Sequence, residues 1–377
     1  MVTGFMVVVR QRGERLSQMT LRAVHRPLPP TARLAYNLRA ARGASPLIEV
    51  GTVFADRWEV VAPLARGSTS EVFRGVDRQG GESVALKVLL AKYARNEESL
   101  QRFRREARVA QKLAHPNIVA IRAFGVDGGR PWIAMELLEG ETLEVRLQRG
   151  AMEAAVVLDM LEQIASAMDH AHAQGVVHRD LKPDNCFLLA GDGARVKVLD
   201  FGFAKVLDML ESDGLKTSSN AVLGTPLYMA PEQVRSSATV DVRADLWSLG
   251  VIAYELLVGD APFEANSTAD LFVEILSRPI PPPSTRVVTL PRALDRWMLR
   301  ALDRAPEGRF RSGQEFMRTL RAAMDPKLAR ELGSVTAPHV AVKPPRPPAG
   351  ANRRLTALFG VGIVALLAVL WALASLR

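Results

Sequence analysis

The segment that decides the fold is His178-Arg179-Asp180-Leu181-Lys182-Pro183-Asp184-Asn185, which carries three complementary polar groups. Asp180 can accept a proton from a hydroxyl group, and Lys182 can neutralise charge on a phosphoryl group. Asn185 offers a neutral oxygen ligand to a hard cation. Because Pro183 has no backbone N–H and cannot continue a helix, we predict that the segment is a loop.

A second polar motif lies 15 residues after Asn185 in the sequence. Asp200-Phe201-Gly202 directly follows the apolar stretch Val196–Leu199, which we predict to be a strand. A carboxylate at the end of a strand suits Mg²⁺, because this ion takes few protein ligands and otherwise relies on phosphate oxygens. The two motifs together indicate chemistry on a phosphorylated substrate.

A lysine stands inside an apolar strand nearer the start of the chain, in Val84-Ala85-Leu86-Lys87. Burying an ammonium group is costly unless it meets an opposite charge. Glu106, one residue from the apolar stripe of the predicted helix Glu97–Ala114, is the expected partner. Such a pair can present the ammonium group to phosphates. The alternative is a lysine at the solvent-exposed edge of a strand.

The periodicity of apolar residues changes near residue 140. Before it, alternation predicts strands around the single helix, at Trp58–Leu64, Ser70–Arg74, Ser83–Leu89, Ile118–Gly125 and Pro131–Leu137. After it the pattern is mainly helical, with the longest helices predicted over Ala154–Gln174 and Asp245–Val258. We therefore predict an α+β fold in which a small β-rich lobe and a larger α-helical lobe enclose a cleft.

In order and spacing, these motifs resemble those of the protein kinase family, specifically the bacterial Hanks-type (eukaryotic-like) serine/threonine protein kinases. The resemblance covers the chain from about Trp58 to Leu320. Gly224–Glu232 resembles the end of an activation segment, and Asp245–Val251 resembles the helix that supports the catalytic loop. Arg309 is similar to a late arginine of the family that forms a structural pair with Glu232. The implied fold is the two-lobed protein kinase fold.

The activity that the resemblance implies is transfer of the γ-phosphoryl group of ATP to protein hydroxyl groups, with Mg²⁺ as cofactor. Asp180 would be the catalytic base, and Lys182 would contact the γ-phosphate. Lys182 stands two residues after Asp180, with Thr225 facing it, which resembles serine/threonine kinases and not tyrosine kinases.

The resemblance also assigns the residues that hold nucleotide and metal. Lys87 would bind the α- and β-phosphates and pair with Glu106, while Asn185 and Asp200 would hold Mg²⁺. The remaining implied contacts are Ala65 and Gly67 in the loop over the phosphates, Leu64, Val72, Ala85, Phe187 and Leu199 around the adenine ring, Met135 as gatekeeper, and the backbones of Glu136 and Leu138.

The loop over the phosphates departs from the family pattern Gly-x-Gly-x-x-Gly, because the sequence here is Ala65-Arg66-Gly67-Ser68-Thr69-Ser70. Glycine permits a close approach of the backbone to a ligand, so Ala65 and Ser70 predict a stiffer loop and weaker ATP binding. Phe187 is bulkier than the usual leucine and is expected to narrow the adenine site.

Two other functions remain open from the residues. The degenerate glycine loop is compatible with a pseudokinase scaffold that binds nucleotide without turnover. A small-molecule phosphotransferase of the aminoglycoside type is compatible with Asp180 and Asn185, but not with the segment Thr225–Glu232.

The formal net charge of +9 belongs to the two ends of the chain, since residues 1–50 carry +6, residues 331–377 carry +4 and residues 51–330 carry −1. The central part therefore lacks the basic surface expected of a nucleic-acid-binding domain, and we expect no nucleic acid partner. The single cysteine, Cys186, excludes a disulfide scaffold and a cysteine-based zinc cluster. We expect it to be a small core residue, with a redox-sensing thiol as the alternative.

The C-terminal end predicts a membrane anchor. Residues 355–376 are 22 residues without a charge, enough for a helix of about 33 Å across the hydrocarbon core. Arg353 and Arg354 precede this segment, so the positive-inside rule places the large N-terminal part in the cytoplasm, as a single-pass protein of the cytoplasmic membrane. The predicted divisions are a basic disordered segment (1–55), the kinase domain (56–325, with lobes 56–138 and 139–325), a Pro-rich linker (326–354) and the transmembrane helix (355–376).

Regulation by phosphorylation is predicted from Arg179, which stands beside Asp180 and could form a basic pocket with Lys205 for a phosphate group. The candidate acceptors are Thr217, Ser218 and Ser219. A solvated, unmodified loop is the alternative. The expected partners are protein substrates with serine or threonine acceptors, and a second copy of the chain for trans-autophosphorylation.

Overall fold

The computed structural model describes residues 48–67, 70–90, 97–150, 152–191, 194–201, 226–235 and 240–325. These residues form two lobes, as the change of periodicity predicted. Thr225, Lys205 and the candidate phosphorylation sites 217–219 lie outside the described residues, as do the Pro-rich linker and the predicted membrane anchor. Among the residues described, no helix has both the length and the apolar character needed to cross a membrane.

The N-terminal lobe is built on an antiparallel sheet with the strand order β1-β2-β3-β4-β6-β5. Its strands are β1 (Val53–Phe54), β2 (Trp58–Arg66), β3 (Ser70–Asp77), β4 (Ser83–Leu89), β5 (Ile121–Asp127) and β6 (Arg130–Glu136). Helix α1 (Glu97–Gln111) packs against β5 and β6. Alternating apolar side chains give this sheet two buried faces, one of which faces α1 and the cleft.

The structured part of the chain begins upstream of residue 56. Ile48 and Phe54 are 7% and 3% exposed, and both pack with Trp58 on the outer face of the sheet. The prediction of a disordered segment over 1–55 is therefore wrong for residues 48–55, because the burial of these side chains offsets the entropic cost of ordering the backbone. Residues 1–47 lie outside the described residues.

The C-terminal lobe is mainly helical. Its helices are α2 (Leu143–Leu147), α3 (Ala154–Ala173), α4 (Pro231–Arg235), α5 (Arg243–Val258), α6 (Thr268–Ser277), α7 (Pro283–Arg286), α8 (Ala293–Ala301) and α9 (Gly313–Met324). A small antiparallel sheet of β7 (Gly140–Thr142), β8 (Cys186–Leu189) and β9 (Val196–Val198) faces the cleft. Helix α5 is buried along nearly its whole length, so it forms the centre of this lobe.

Most predicted elements are confirmed, and the differences have local causes. Strand β5 begins at Ile121 and not at Ile118, because Ile118 forms a parallel bridge with Val198 of β9. Pro183 does not leave an irregular loop but begins a 3₁₀ turn over Pro183–Asn185. The first position of such a turn needs no N–H donor, so proline is accepted there.

Gly125 in the N-terminal lobe is packed so tightly that we expect a larger side chain there to destabilise the fold. Gly125 lies directly opposite Trp132, and a Cβ atom added to it would stand 2.8 Å from the indole ring. We expect Gly125→Ala to lower the free energy of unfolding by about 1–3 kcal/mol, as overpacking does in other cores. Urea unfolding measures the change. Gly80→Ala is the control, because the nearest atom to its Cβ would be 3.4 Å away, and an equal loss in both variants would contradict the packing argument.

Candidate active site

The loop predicted to carry the chemistry brings its three polar side chains together. Lys182 Nζ lies 2.9 and 2.8 Å from the two carboxylate oxygens of Asp180. The amide nitrogen of Asn185 donates to the Asp180 carbonyl at 2.7 Å and to its Oδ2 at 3.1 Å. Asn185 is buried, whereas the Asp180 side chain is 44% exposed, so its carboxylate is held by two neighbours and still accessible to solvent.

A buried carboxylate on helix α5 fixes the backbone of this loop. Asp245 is fully buried, and its two oxygens accept the backbone N–H groups of His178 and Arg179, each at 2.8 Å. Its Oδ2 also accepts from His172 Nε2 at 2.8 Å. Arg179 has a φ of 67°, a left-handed conformation that a non-glycine residue adopts only when its surroundings impose it. The supporting role implied for Asp245 is thus visible as three hydrogen bonds.

His178 connects the catalytic loop to the segment that carries Asp200. Its Nε2–H donates to the Leu199 carbonyl at 2.8 Å, and its ring packs edge-on against Phe201 with 4.7 Å between the ring centres. The Nδ1 atom accepts the N–H of Asp180 at 3.3 Å. No role was predicted for His178. Its place between the apolar Val176-Val177 and Asp180 is the one feature of the sequence that indicates a structural role.

Lys87 contacts Asp200 and not Glu106, which corrects one expectation. The Lys87 Nζ atom lies 2.6 Å from Asp200 Oδ2, and the described residues show no ion pair between Lys87 and Glu106. Asp200 has a φ of 60°, and this turn just after β9 brings its carboxylate to the Lys87 ammonium group. Burial by itself raises the pKa of Asp200, but the Lys87 ammonium group, together with the charges of His178 and Lys182, lowers the pKa overall.

The donor set fits a magnesium ion. The Leu199 N–H donates to the Asn185 carbonyl at 2.8 Å, which holds Asn185 close to the segment that ends in Asp200. The Nδ2 atom of Asn185 is occupied by Asp180, so its Oδ1 is the atom available to a cation, as is Oδ1 of Asp200. Within the described ranges no three His, Cys, Asp or Glu side chains cluster around a metal position. Asn185 and Asp200 would therefore hold Mg²⁺ together with phosphate oxygens, and the ion would neutralise phosphate charge.

The predicted adenine contacts largely converge. One apolar cluster contains Ala85, Met135, Leu138 and Phe187 as buried members, with Val72 and Leu199 packed against them. Leu64, on β2, is partly exposed and does not belong to this cluster. The Glu136 N–H donates to the Ala120 carbonyl, whereas the N–H of Leu138 has no protein acceptor in the described part of the chain. Leu138 is therefore the better candidate to donate to an adenine nitrogen.

The side chain of Glu136 makes two contacts that were not predicted from the sequence. Its carboxylate accepts from Lys197 Nζ at 2.5 Å and from the Ala120 N–H at 2.7 Å. The pair joins the end of β6 in the small lobe to β9 in the large lobe. Lys197 interrupts an apolar strand in the sequence, and that interruption was the signal for a buried partner.

The loop over the phosphates does not use positive φ angles at its described positions. Ala65 pairs with Val72 directly after a register shift between β2 and β3, Ser70 pairs with Leu89, and neither residue has a positive φ. The Gly67 N–H donates to the Ser70 carbonyl at 2.8 Å, and a Cβ atom at Gly67 would be 3.5 Å from that oxygen. Alanine and serine therefore fit this hairpin without strain, which weakens the argument that the loop is defective.

The segment after Thr225 is held against the catalytic loop as the motif implied. Glu232 and Arg309 form a bidentate pair with two 2.7 Å contacts, and the Arg309 side chain is fully buried. Gln233 donates to the Arg179 carbonyl at 2.8 Å and accepts the Ala230 N–H at 3.0 Å. The predicted pairing of Glu232 with Arg309 is thus confirmed as a structural contact.

Cys186 is fully buried, and burial raises the pKa of its thiol far above the ordinary value. A thiol that is neither exposed nor ionised is a poor redox sensor. Its position in the core of the large lobe supports the expectation of a small core residue.

Asp184 carries a pKa shift that predicts a pH-dependent stability. Burial raises the pKa of its carboxyl group to about 6, and the nearby Glu144 carboxylate adds to the rise. Because the folded pKa lies above the unfolded value, the native state binds more protons between about pH 4 and pH 6, and stability falls as the pH rises through that range. Above pH 6 the ionised group costs stability in full.

We therefore expect Asp184→Asn to raise the free energy of unfolding by about 1–2 kcal/mol at pH 8, allowing for solvent screening, and to change it little at pH 4.5. Urea titrations at the two pH values measure the difference. An equal effect at both would mean that the ionisation of Asp184 is not its cause.

This fold and this loop bring two carboxylates, two lysines and an asparagine together between two lobes, an arrangement that suits a phosphoryl-transfer domain. The sequence profile described as the protein kinase domain matches residues 58–309. The chain belongs to the protein kinase family.

Relatives of known name support this assignment. The chain is 41% identical over 269 residues to serine/threonine-protein kinase Pkn1 of Myxococcus xanthus, a match that covers 71% of this chain and 38% of that protein. It is 37% identical over 272 residues to serine/threonine-protein kinase PknL of Mycobacterium bovis, covering 70% of this chain and 66% of that one. The match thus leaves one third or more of each of these two relatives uncovered.

A solved structure shows the same fold. The crystal structure of the PknI kinase domain of Mycobacterium tuberculosis aligns with a TM-score of 0.59 at 29% sequence identity. The alignment covers 74% of this chain and all of that one.

Proposed function

We propose that this chain is an active serine/threonine protein kinase that uses Mg-ATP, is anchored in the membrane by residues 355–376, and is activated by phosphorylation of its activation segment. The observation that carries the catalytic part is the convergence in one cleft of Lys87, Asp200 and the Asp180–Asn185 loop. Lys87 and Asp200 touch, while Asn185 is bonded both to Asp180 and to the residue before Asp200.

Each of these side chains has a task that its surroundings suit. The exposed carboxylate of Asp180 orients the substrate hydroxyl and accepts its proton as the new O–P bond forms and the bond between the γ-phosphorus and the departing ADP breaks. Lys182, 2.8 Å from Asp180, stabilises negative charge on the transferred group, and Lys87 positions the inner phosphates. No covalent enzyme intermediate is needed, since positioning and charge neutralisation provide the catalysis. The serine/threonine preference is supported by Lys182 two residues after Asp180 and by the names of the relatives.

The test uses the full chain with Mg²⁺, γ-labelled ATP and a generic basic protein. We expect label on serine and threonine, read by phosphoamino-acid analysis of the product. Label on tyrosine would contradict the proposed acceptor class. Nucleotide binding without any transfer would mean a scaffold, the function that the degenerate loop left open.

The proposed anchor is supported by 22 uncharged residues behind a pair of arginines. We expect the full chain to stay with the membrane fraction after alkaline carbonate extraction, and a variant that ends at residue 354 to be released. If the full chain and the shortened variant were both released, the proposed membrane anchor would be wrong, and the proposed catalytic activity would be unaffected.

Activation is supported by the position of Arg179. Its backbone is held by Asp245 and Gln233, and no ion pair to its guanidinium group is present among the described residues. We expect phosphate on Thr217, Ser218 or Ser219 to bind there and order the segment. Phosphatase treatment should lower the rate and the triple alanine variant should match the treated protein, whereas unchanged rates in both would refute this step.

A further inference from the structure

A polar surface pocket, open to solvent and with about 450 Å³ of accessible space, lies away from the catalytic cleft, where helix α8 meets the beginning of helix α9. Its lining residues are Arg300, Arg311, Ser312, Gln314, Glu315 and Arg318, with no apolar side chain among them. We call it the arginine cavity.

One wall of the arginine cavity is held in place by contacts within the protein. Glu315 accepts from Arg300 Nη2 at 2.5 Å and from the backbone N–H of Arg311 at 2.8 Å. The Arg300 guanidinium group also lies 4.3 Å from the centre of the Phe310 ring. Burial alone would raise the pKa of Glu315, but these two donors lower it overall, so Glu315 stays charged and holds Arg300 in place.

The guanidinium groups of the other two arginines are less engaged, although the charge of Arg311 helps to lower the pKa of Glu315. Arg311 and Arg318 are exposed, and across the described ranges neither guanidinium group has a hydrogen bond or an ion pair. The lining carries three positive charges and one negative, a net charge of two positive. The backbone N–H groups at the start of α9 are not available, since Asp169 accepts those of Gly313 and Gln314. Any anion would therefore be bound by guanidinium groups.

We infer that the arginine cavity binds the phosphate group of a phosphoserine or phosphothreonine in a protein partner. A phosphate monoester carries about −1.5 to −2 charges near pH 7, which matches the net charge of the lining, and guanidinium groups bind its oxygens in pairs. A bilayer surface fits less well, because the lining has no apolar side chains to enter the interface. The identity of the phosphorylated residue rests on the proposed function; the charge of the cavity does not.

Such a site would let the kinase hold a protein that already carries phosphate while the cleft acts on another hydroxyl group. Binding at the cavity needs no catalysis, so it can be measured without ATP. A failure of binding and a failure of phosphoryl transfer are then separate results.

The experiment uses the full chain in detergent and a fluorescent peptide library with a fixed central phosphothreonine, followed by fluorescence anisotropy. We expect the same library with plain threonine to bind at least tenfold more weakly. Arg311→Ala combined with Arg318→Ala should weaken phosphopeptide binding at least tenfold. The matched control is Arg292→Ala combined with Arg296→Ala, which removes the same charge from exposed arginines outside the cavity and should change binding less than threefold.

Three results would overturn the inference. The first is equal binding of the two libraries, and the second is an equal loss in the cavity variant and its control, which would indicate general electrostatic attraction. The third is binding of anionic phosphatidylglycerol vesicles that depends on Arg311 and Arg318 while the phosphopeptide does not bind. Because both arginines are exposed, unchanged thermal unfolding of the variants is expected and checks their folding.

Discussion

Asp180→Asn will lower the rate of phosphoryl transfer by about 10²–10⁴-fold while leaving the affinity for ATP within a few-fold of the wild type. The asparagine keeps the size of the side chain and an oxygen for Lys182, but it cannot take up the proton of the substrate hydroxyl. The proposed adenine contacts lie on other elements, namely β3, β4 and the end of β6, where the side chains form one apolar cluster. The expected pattern is therefore a loss in kcat without a matching loss in binding.

Labelled-phosphate transfer and displacement of a fluorescent nucleotide measure the two quantities on the same preparation. Asp56→Asn is the control, since it makes the same chemical change on an exposed turn between β1 and β2. If Asp180→Asn retained more than a tenth of the wild-type rate, Asp180 would not be the base.

The parts of the site that are encoded locally were predictable from the sequence. Asp180, Lys182 and Asn185 stand within six residues, and the 3₁₀ turn at Pro183 needs only that stretch to bring them together. The strands were predictable for a similar reason, because alternation of apolar residues reports the two faces of a sheet directly. The exact end of a strand is harder to predict from the sequence. Ile118 was expected to begin β5, but it pairs with Val198 of β9 instead.

The partner of Lys87 could not be read from the sequence. Glu106 has the right charge on the right helix, but Asp200 reaches the ammonium group because its backbone turns with a φ of 60° just after β9. This turn arises from tertiary packing and not from a residue pattern. The pairing of Glu232 with Arg309, separated by 77 residues, was accessible only through the resemblance to kinases.

The strongest expected effect on folding is that of Asp245→Ala. The substitution removes the acceptor of three donors, the His178 and Arg179 N–H groups and the His172 ring, and leaves them buried without partners. Each unsatisfied buried donor costs about 1–3 kcal/mol, so we expect a loss of about 3–5 kcal/mol in the free energy of unfolding. Asp245→Asn should be nearly as harmful, because its amide group places N–H donors where acceptors are needed.

The effect of Asp245→Ala on catalysis shows whether Asp245 orients the catalytic loop or only stabilises the fold. At a temperature where Asp245→Ala is still folded, we expect kcat to fall at least tenfold with little change in the KM for ATP, since the left-handed turn at Arg179 would relax and move Asp180. Ser248→Ala, on the same buried helix, removes the hydrogen bonds of one hydroxyl group and should cost about 1 kcal/mol with kcat nearly unchanged. A loss of stability in Asp245→Ala with a wild-type kcat would show that Asp245 supports the fold without orienting the base.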